Sequence, residues 1–208
     1  MKSEQIIMVV KREALFCNDY FEGFMPQEEI DYESRILSNF EHMKRGPAEE
    51  DAGYKQPIGY CMIVNLKLKQ VFAYQRSSND AKYAEKRLQG KWSWGVGGHI
   101  EKFDAESKNP IHLSVLRELG EEVEAAEMTA PKVLGYINYD TDDIGKVHFG
   151  ILYIVETGSE YIMPKDPEID NGRLRAIKEL EHICQSPEYR VEEWSRISLS
   201  ALNRYFNQ

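Results

Sequence analysis

The sequence predicts an α/β fold built on a mixed sheet flanked by helices, and three observations carry that expectation. Apolar, strand-like runs dominate after residue 57. A long amphipathic segment, 109–126, interrupts them with helical periodicity. Strands and helices then mix without the regular alternation of a doubly wound parallel sheet. A chain of 208 residues, 42% hydrophobic and 29% charged, has room for one large domain with an appendage.

Taken in order, 4–16 reads as a strand through Ile6, Ile7, Met8, Val9 and Val10, then a charged break and Ala14-Leu15-Phe16. Gly23, Pro26 and the polar run Gln27-Glu28-Glu29 introduce a helix through Ile30, Leu37, Phe40 and Met43, ended by Gly46-Pro47. The polar stretch 48–57 sets a boundary. It divides an N-terminal strand-helix extension at 1–57 from a domain at 58–208. Beyond it, 58–65 and 70–75 are expected strands, and 77–89 is a polar loop. The segment 92–100 is aromatic and then glycine-rich, and a helix follows from Pro110 to Ala126. Further strands are expected over 133–139 and 146–156, around the Asp140-Thr141-Asp142-Asp143 turn. A short strand at 174–176 precedes a helix through Leu180 and Ile183, and a last helix carries Trp194, Ile197, Leu202 and Phe206.

Net charge is -9, from 26 basic and 35 acidic residues. An acidic chain without a basic tail is a poor partner for a nucleic-acid backbone, so stable nucleic-acid binding is not expected. A phosphate ester bound by such a chain calls for a divalent cation to neutralise both sides. No apolar run approaches the roughly 20 residues that span a bilayer, and the first residues do not have the shape of a signal peptide. Cys17, Cys61 and Cys184 form no CxxC pair, which points to a reducing, cytoplasmic setting.

The chemistry concentrates on 109–126. Asn109 suits an N-cap and Pro110 the first helical position. Val115, Leu116, Leu119 and Val123 fall on one face for burial, and Glu118, Glu121 and Glu122 gather on another. Like charges at these spacings repel, and Arg117 relieves only part of that. Three clustered carboxylates ask for a cation, and hard oxygen ligands favour Mg²⁺ or Mn²⁺. A solvated acidic face is the ordinary alternative. The glycine-rich loop before the helix, where backbone can approach a ligand closely, weighs against it.

Gly97-Gly98-His99-Ile100-Glu101 followed by Arg117-Glu118-Leu119-Gly120-Glu121-Glu122 resembles the Nudix (MutT-type) hydrolases. As a whole the chain looks most like bacterial predicted phosphoesterases of that family. The resemblance implies the Nudix α/β/α sandwich, and a hydrolase that uses Mg²⁺ (or Mn²⁺) to cleave a diphosphate linkage in a nucleoside diphosphate derivative or related small molecule. It makes Glu118, Glu121, Glu122 and the Gly97 carbonyl metal ligands, with Glu118, Glu121 and Arg117 catalytic and Glu118 the candidate base. Arg117 would orient a carboxylate. Gly98 would lie against substrate, as would a late-loop carboxylate, with Glu168 ranked ahead of Glu160 and Asp170.

The signature is not intact. Gly98 to Arg117 spans five positions more than the signature allows, Asn109 stands where it has its first Glu, and Glu124 where it has its closing Gly. Glu101 or Glu106 is available to replace the lost carboxylate, and Glu124 is expected to extend the helix by a turn. The extension at 1–57 is expected to pack on the domain or to form a homodimer contact. Trp92, Trp94, Tyr139 and Phe149 read as core more than as a base-stacking surface. His99 and His148, single histidines without ligand spacing, read as core or loop.

Two other functions compete. A Nudix-fold module could bind a nucleotide without catalysis, as a sensor. An isopentenyl-diphosphate-isomerase-like enzyme would need a cysteine beside the box, whereas Cys61 lies on a strand well before it.

Overall fold

The computed structural model describes residues 2–79 and 86–207, so part of the loop expected over 77–89 lies outside the described residues. In chain order the elements are β1 (Ile6–Lys11), α1 (Arg12–Phe16), β2 (Gly23–Pro26), α2 (Tyr32–Asn39), β3 (Phe40–Lys44), α3 (Arg45–Ala48), β4 (Tyr54–Asn65), β5 (Gln70–Arg76) and β6 (Trp92–Ser93). They continue with α4 (Pro110–Glu122), β7 (Val123–Glu124), β8 (Lys132–Asn138), β9 (His148–Glu156), β10 (Met163–Pro164), β11 (Ile169–Ala176), α5 (Ile177–Gln185) and α6 (Glu193–Phe206). The result is the expected α/β class. Among the described residues the main strand order is β11-β5-β4-β9-β8-β2, with β1, β3 and β6 attached at the side.

The chain divides into two compact units. The first comprises 1–60, 97–116 and 133–153. In it β1 pairs antiparallel with β3 along its length, Ile6 opposite Lys44 and Val10 opposite Phe40. The last residues of β1 turn to the start of β4, Lys11 opposite Tyr54. The antiparallel ladder of β2 on β8 sets Met25 against Tyr136. The core here is aromatic: Tyr136 stacks on Phe149 at 6.0 Å, and Tyr32 meets both, with Phe16 and Phe21 edge-on to Phe149. Phe149 is therefore core, as expected.

The second unit comprises 61–96, 117–132 and 154–208. Here β5 pairs with β11, and β6 adds to β5, Tyr74 opposite Ser93. Trp94 is buried and donates its indole N–H to Ser198 Oγ of α6 at 3.1 Å, while Ser195 Oγ accepts from its backbone. The Arg175 guanidinium lies over the buried Trp92 ring. Both tryptophans serve packing, the reading the sequence favoured.

Four local expectations are corrected. Ala14-Leu15-Phe16 belongs to helix α1, whose last turn is closed by the Cys17 N–H donating to the Glu13 carbonyl. The helix expected through Phe40 and Met43 stops at Asn39, and Phe40–Lys44 becomes β3, because pairing with β1 outweighs a weak helical pattern. Gly46-Pro47 lies inside the short α3 instead of ending a helix. The segment Gly23–Pro26, read as a helix approach, is strand β2.

Candidate active site on helix α4

Helix α4 begins as the sequence predicts. Asn109 Oδ1 accepts the His112 N–H at 3.0 Å, and Pro110 takes the position where no N–H is needed. Its buried stripe is Ile111, Val115 and Leu119, spaced by one turn each. Leu116, expected on that face, is 46% exposed. The backbone allows close packing at this stripe: a Cβ on Gly59 of β4 would stand 2.3 Å from Val115 Cγ2. Gly97 stacks in turn on Gly59. Its φ is +148°, and a Cβ there would meet the Gly59 carbonyl oxygen at 1.8 Å, so only glycine fits.

The three carboxylates do not share one exposed face. With the buried stripe centred on Val115, Glu122 falls about 20° away, inside it, Glu118 about 60° away at its edge, and Glu121 about 120° round. Exposure follows that geometry: the Glu118 side chain is 16% exposed and that of Glu121 61%, and Glu122 as a residue is 7% exposed. Arg117 donates to Glu118 Oε1 at 2.6 Å and stands 3.6 Å from Glu121 Oε2. The guanidinium thus holds the half-buried carboxylate more closely than the exposed one. Burial pushes the Cys61 thiol up, and the Glu122 charge pushes it the same way, so Cys61 is a protonated, inert neighbour of this carboxylate.

The end of α4 corrects the sequence reading. Glu124 does not extend the helix; Val123–Glu124 pairs with Met163–Pro164 instead. The Glu122 carbonyl is taken by the N–H groups of Lys165 and Asp166, at 2.8 and 3.3 Å, and Lys165 Nζ reaches the Gly120 carbonyl. A late loop therefore caps the helix where a glycine would otherwise end it. Glu168, the late-loop carboxylate ranked first, belongs to this turn: its N–H donates to Asp166 Oδ1 and its carbonyl accepts from Ser77.

Other candidates are committed elsewhere. Glu101 caps the 3₁₀ turn Lys102–Glu106 and accepts from Gln5 Nε2 at 3.1 Å. Glu106 is exposed. Gly98 is half-buried in the loop behind Gly97. A carboxylate that sequence reasoning missed stands at the helix start: Glu33 of α2 accepts from Asn109 Nδ2 at 2.9 Å and from the Tyr153 hydroxyl at 3.2 Å. No local motif marks Glu33, since its partners lie 76 and 120 residues away. Sequence reasoning also missed that His99 and His148 meet, their Nε2 atoms 3.4 Å apart. Among the described residues the trio whose ligand atoms all lie within 4.8 Å of one another is Glu49, His99 and His148, not the α4 carboxylates.

A divalent cation fits the α4 donor set in its chemistry. Glu118 and Glu122 offer hard oxygens one turn apart, both largely withdrawn from water, the donor type that Mg²⁺ and Mn²⁺ take.

No family model matches the chain. It is 32% identical to Protein YmaB of Bacillus subtilis over 212 aligned positions, covering 97% of this chain and 98% of that one. Among solved structures it superposes on Tm1382, a candidate Nudix hydrolase, with TM-score 0.78 and 26% identity, covering 97% of this chain and all of the other. A NUDIX hydrolase from Alicyclobacillus acidocaldarius shares the fold at TM-score 0.57 and 13% identity, over 74% of this chain and 96% of that one. The NUDIX domain of Shewanella oneidensis NrtR, solved with ADP ribose, does so at 0.51 and 16%, over 72% and 88%.

Proposed function

The chain belongs to the Nudix family and is a hydrolase of phosphoric anhydrides, and from that premise we propose that it cleaves the diphosphate linkage of a nucleoside diphosphate derivative with Mg²⁺ or Mn²⁺. The observation that carries the proposal is the pair Glu118 and Glu122, two carboxylates largely withdrawn from water one turn apart on α4, with Arg117 bonded to the first. Two carboxylates so placed repel each other, and a cation in the working state would relieve that repulsion.

Glu118, Glu121 and Glu122 are the residues assigned to hold the cation, with Glu121, the exposed one, free to turn toward it. When bound, the cation withdraws charge from the phosphoryl oxygens and lowers the pKa of water. Glu118, oriented by Arg117, is the base that accepts the proton as water oxygen bonds to phosphorus and the bridging oxygen leaves with its electron pair. Gly97 and Gly98 keep the roles the family resemblance gives them, the first through its carbonyl and the second beside substrate. Glu168 is assigned to substrate, on a loop anchored to the last turn of α4. The bound ADP ribose of the NrtR domain makes ADP-ribose-like diphosphates the first compounds to test. Among the described residues no helix is long and apolar enough to cross a membrane. The cytoplasmic setting is proposed on the three free cysteines.

The test is formation of nucleotide products, resolved by chromatography, from nucleoside diphosphate sugars, dinucleoside polyphosphates and nucleoside triphosphates, with Mg²⁺ or Mn²⁺ against an EDTA control. Cation-dependent turnover that disappears in Glu118→Gln supports the assignment. Turnover that persists in EDTA rejects it.

A further inference from the structure

The side chains of Glu49, His99 and His148 converge within the first unit from three distant stretches of chain, and nothing in the hydrolase reading uses them. Glu49 directly follows α3, His99 follows Gly97-Gly98 and pairs across to Ile58 of β4, and His148 opens β9. The two imidazole Nε2 atoms stand 3.4 Å apart, with ring planes at 69°. Two nitrogens bound to one tetrahedral zinc at 2.0–2.1 Å are separated by about 3.3–3.4 Å, so the histidines already span one edge of that tetrahedron.

The surroundings match a ligand set. His148 is 7% exposed, and its Nδ1 donates to the Ile144 carbonyl at 2.7 Å. That bond fixes the tautomer whose Nε2 carries the lone pair, the usual second contact of a metal-bound histidine. Arg45 Nε holds Glu49 Oε1 at 3.2 Å and orients the carboxylate. Gln56 Oε1 lies 2.7 Å from His99 Nε2, while the Gln56 amide nitrogen donates to the Ala48 carbonyl, so the oxygen is aimed at the histidine.

We propose that Glu49, His99 and His148 form a site for one divalent transition ion of the Zn²⁺ class, separate from the α4 carboxylates. Two imidazoles are borderline ligands that favour Zn²⁺ over Mg²⁺, a carboxylate completes a common three-ligand zinc set, and the fourth position is left for water. On loading, the His99 proton moves from Nε2 to Nδ1, and Gln56 Oε1 is released to accept from that water. The ion would clip the segment after α3 to the glycine-rich loop and to β9, so its binding free energy adds to that of folding.

The test uses the full chain, stripped with EDTA and exchanged into metal-free buffer, then titrated with Zn²⁺ against a chromophoric chelator. The expected result is one tightly held Zn²⁺ per chain, a higher thermal midpoint with the ion, and visible d–d absorption of tetrahedral strength with Co²⁺. His99→Gln and Glu49→Gln should each weaken binding at least tenfold, with metal-free midpoints close to that of the metal-free parent. The Glu118→Gln/Glu121→Gln/Glu122→Gln variant should retain the ion. Absence of Zn²⁺ binding, binding unchanged in His99→Gln, or binding lost only in the triple variant would each overturn the proposal. His148→Gln is the less informative change because that side chain is buried; half-buried His99 and Glu49 keep the test open if it fails to fold.

Discussion

Asn109 Nδ2 donates to Glu33 Oε1 at 2.9 Å, which sets a carboxylate of α2 against the first turn of α4. The Nudix signature has its own glutamate at the Asn109 position. Here the position carries an amide whose oxygen caps the helix while its nitrogen engages a glutamate from the N-terminal stretch. Asn109→Ala removes both bonds. Loss of an N-cap costs about 1 kcal/mol, and the stranded Glu33 adds to that. At 2–4 °C per kcal/mol for a chain of this size, the thermal midpoint should fall by about 3–8 °C. A calorimetric midpoint within 1 °C of the parent would contradict the capping role.

Two glycines of the signature region should respond oppositely to alanine. At Gly97 the new Cβ would overlap the Gly59 carbonyl at a positive φ, and both costs are steric. Gly97→Ala should destabilise by about 3 kcal/mol or fail to fold. Gly120 lies exposed inside α4, and a Cβ there meets nothing within 4 Å. Gly120→Ala should therefore stabilise by about 1 kcal/mol through helix propensity alone. Urea unfolding of both variants checks the contrast, and equal shifts would refute it.

What was legible in the sequence was what local pattern encodes. The start of α4, the strands β4, β5, β8 and β9, and helices α5 and α6 follow from periodicity and capping residues close together in the chain. What was illegible depends on partners far away. Phe40–Lys44 reads as helix until β1 offers it a hydrogen-bonding edge. The stop of α4 at Glu122 comes from N–H groups of Lys165 and Asp166, which no local signal announces. Leu116 looked buried and Glu122 exposed because an ideal wheel gives angles between residues, not which arc the sheet covers. Two isolated histidines carried no ligand spacing because their convergence is made by tertiary structure.

Asp140 gathers the charges of the first unit. It accepts from Lys55 Nζ at 2.6 Å, from Tyr20 at 2.8 Å and from Arg12. Burial alone would raise its carboxyl, but the hydrogen bonds of Arg12 and Lys55 outweigh burial and hold it well below the usual carboxylate range. A depressed folded pKa means that the unfolded chain takes up the proton first. The stabilisation is then complete above about pH 5 and is lost as pH falls through and below about 4. Asp140→Asn should flatten that acid limb. At pH 7 it should also cost about 3 kcal/mol, because Lys55 is fully buried and loses its counter-ion. Stability measured from pH 3 to 7 tests both parts, and parallel curves for parent and variant would exclude the assigned pair.

Glu122→Gln separates the fold from the chemistry on α4. The residue is 7% exposed, and its carbonyl, which ties the late loop to the helix, is backbone and survives the change. Glutamine keeps the volume and removes a charge that burial and the neighbouring Glu118 disfavour. In EDTA the variant should therefore be as stable as the parent or more so, by about 0–1 kcal/mol. Cation-dependent turnover should fall at least about 100-fold, as expected when a group that stabilises transition-state charge is neutralised. Glu121→Gln, at an exposed side chain, should leave the midpoint within about 0.5 kcal/mol and lower turnover through cation affinity, so that excess Mn²⁺ restores part of it. A destabilised Glu122→Gln with normal turnover would instead make that carboxylate a structural group, and the cation site would have to be built without it.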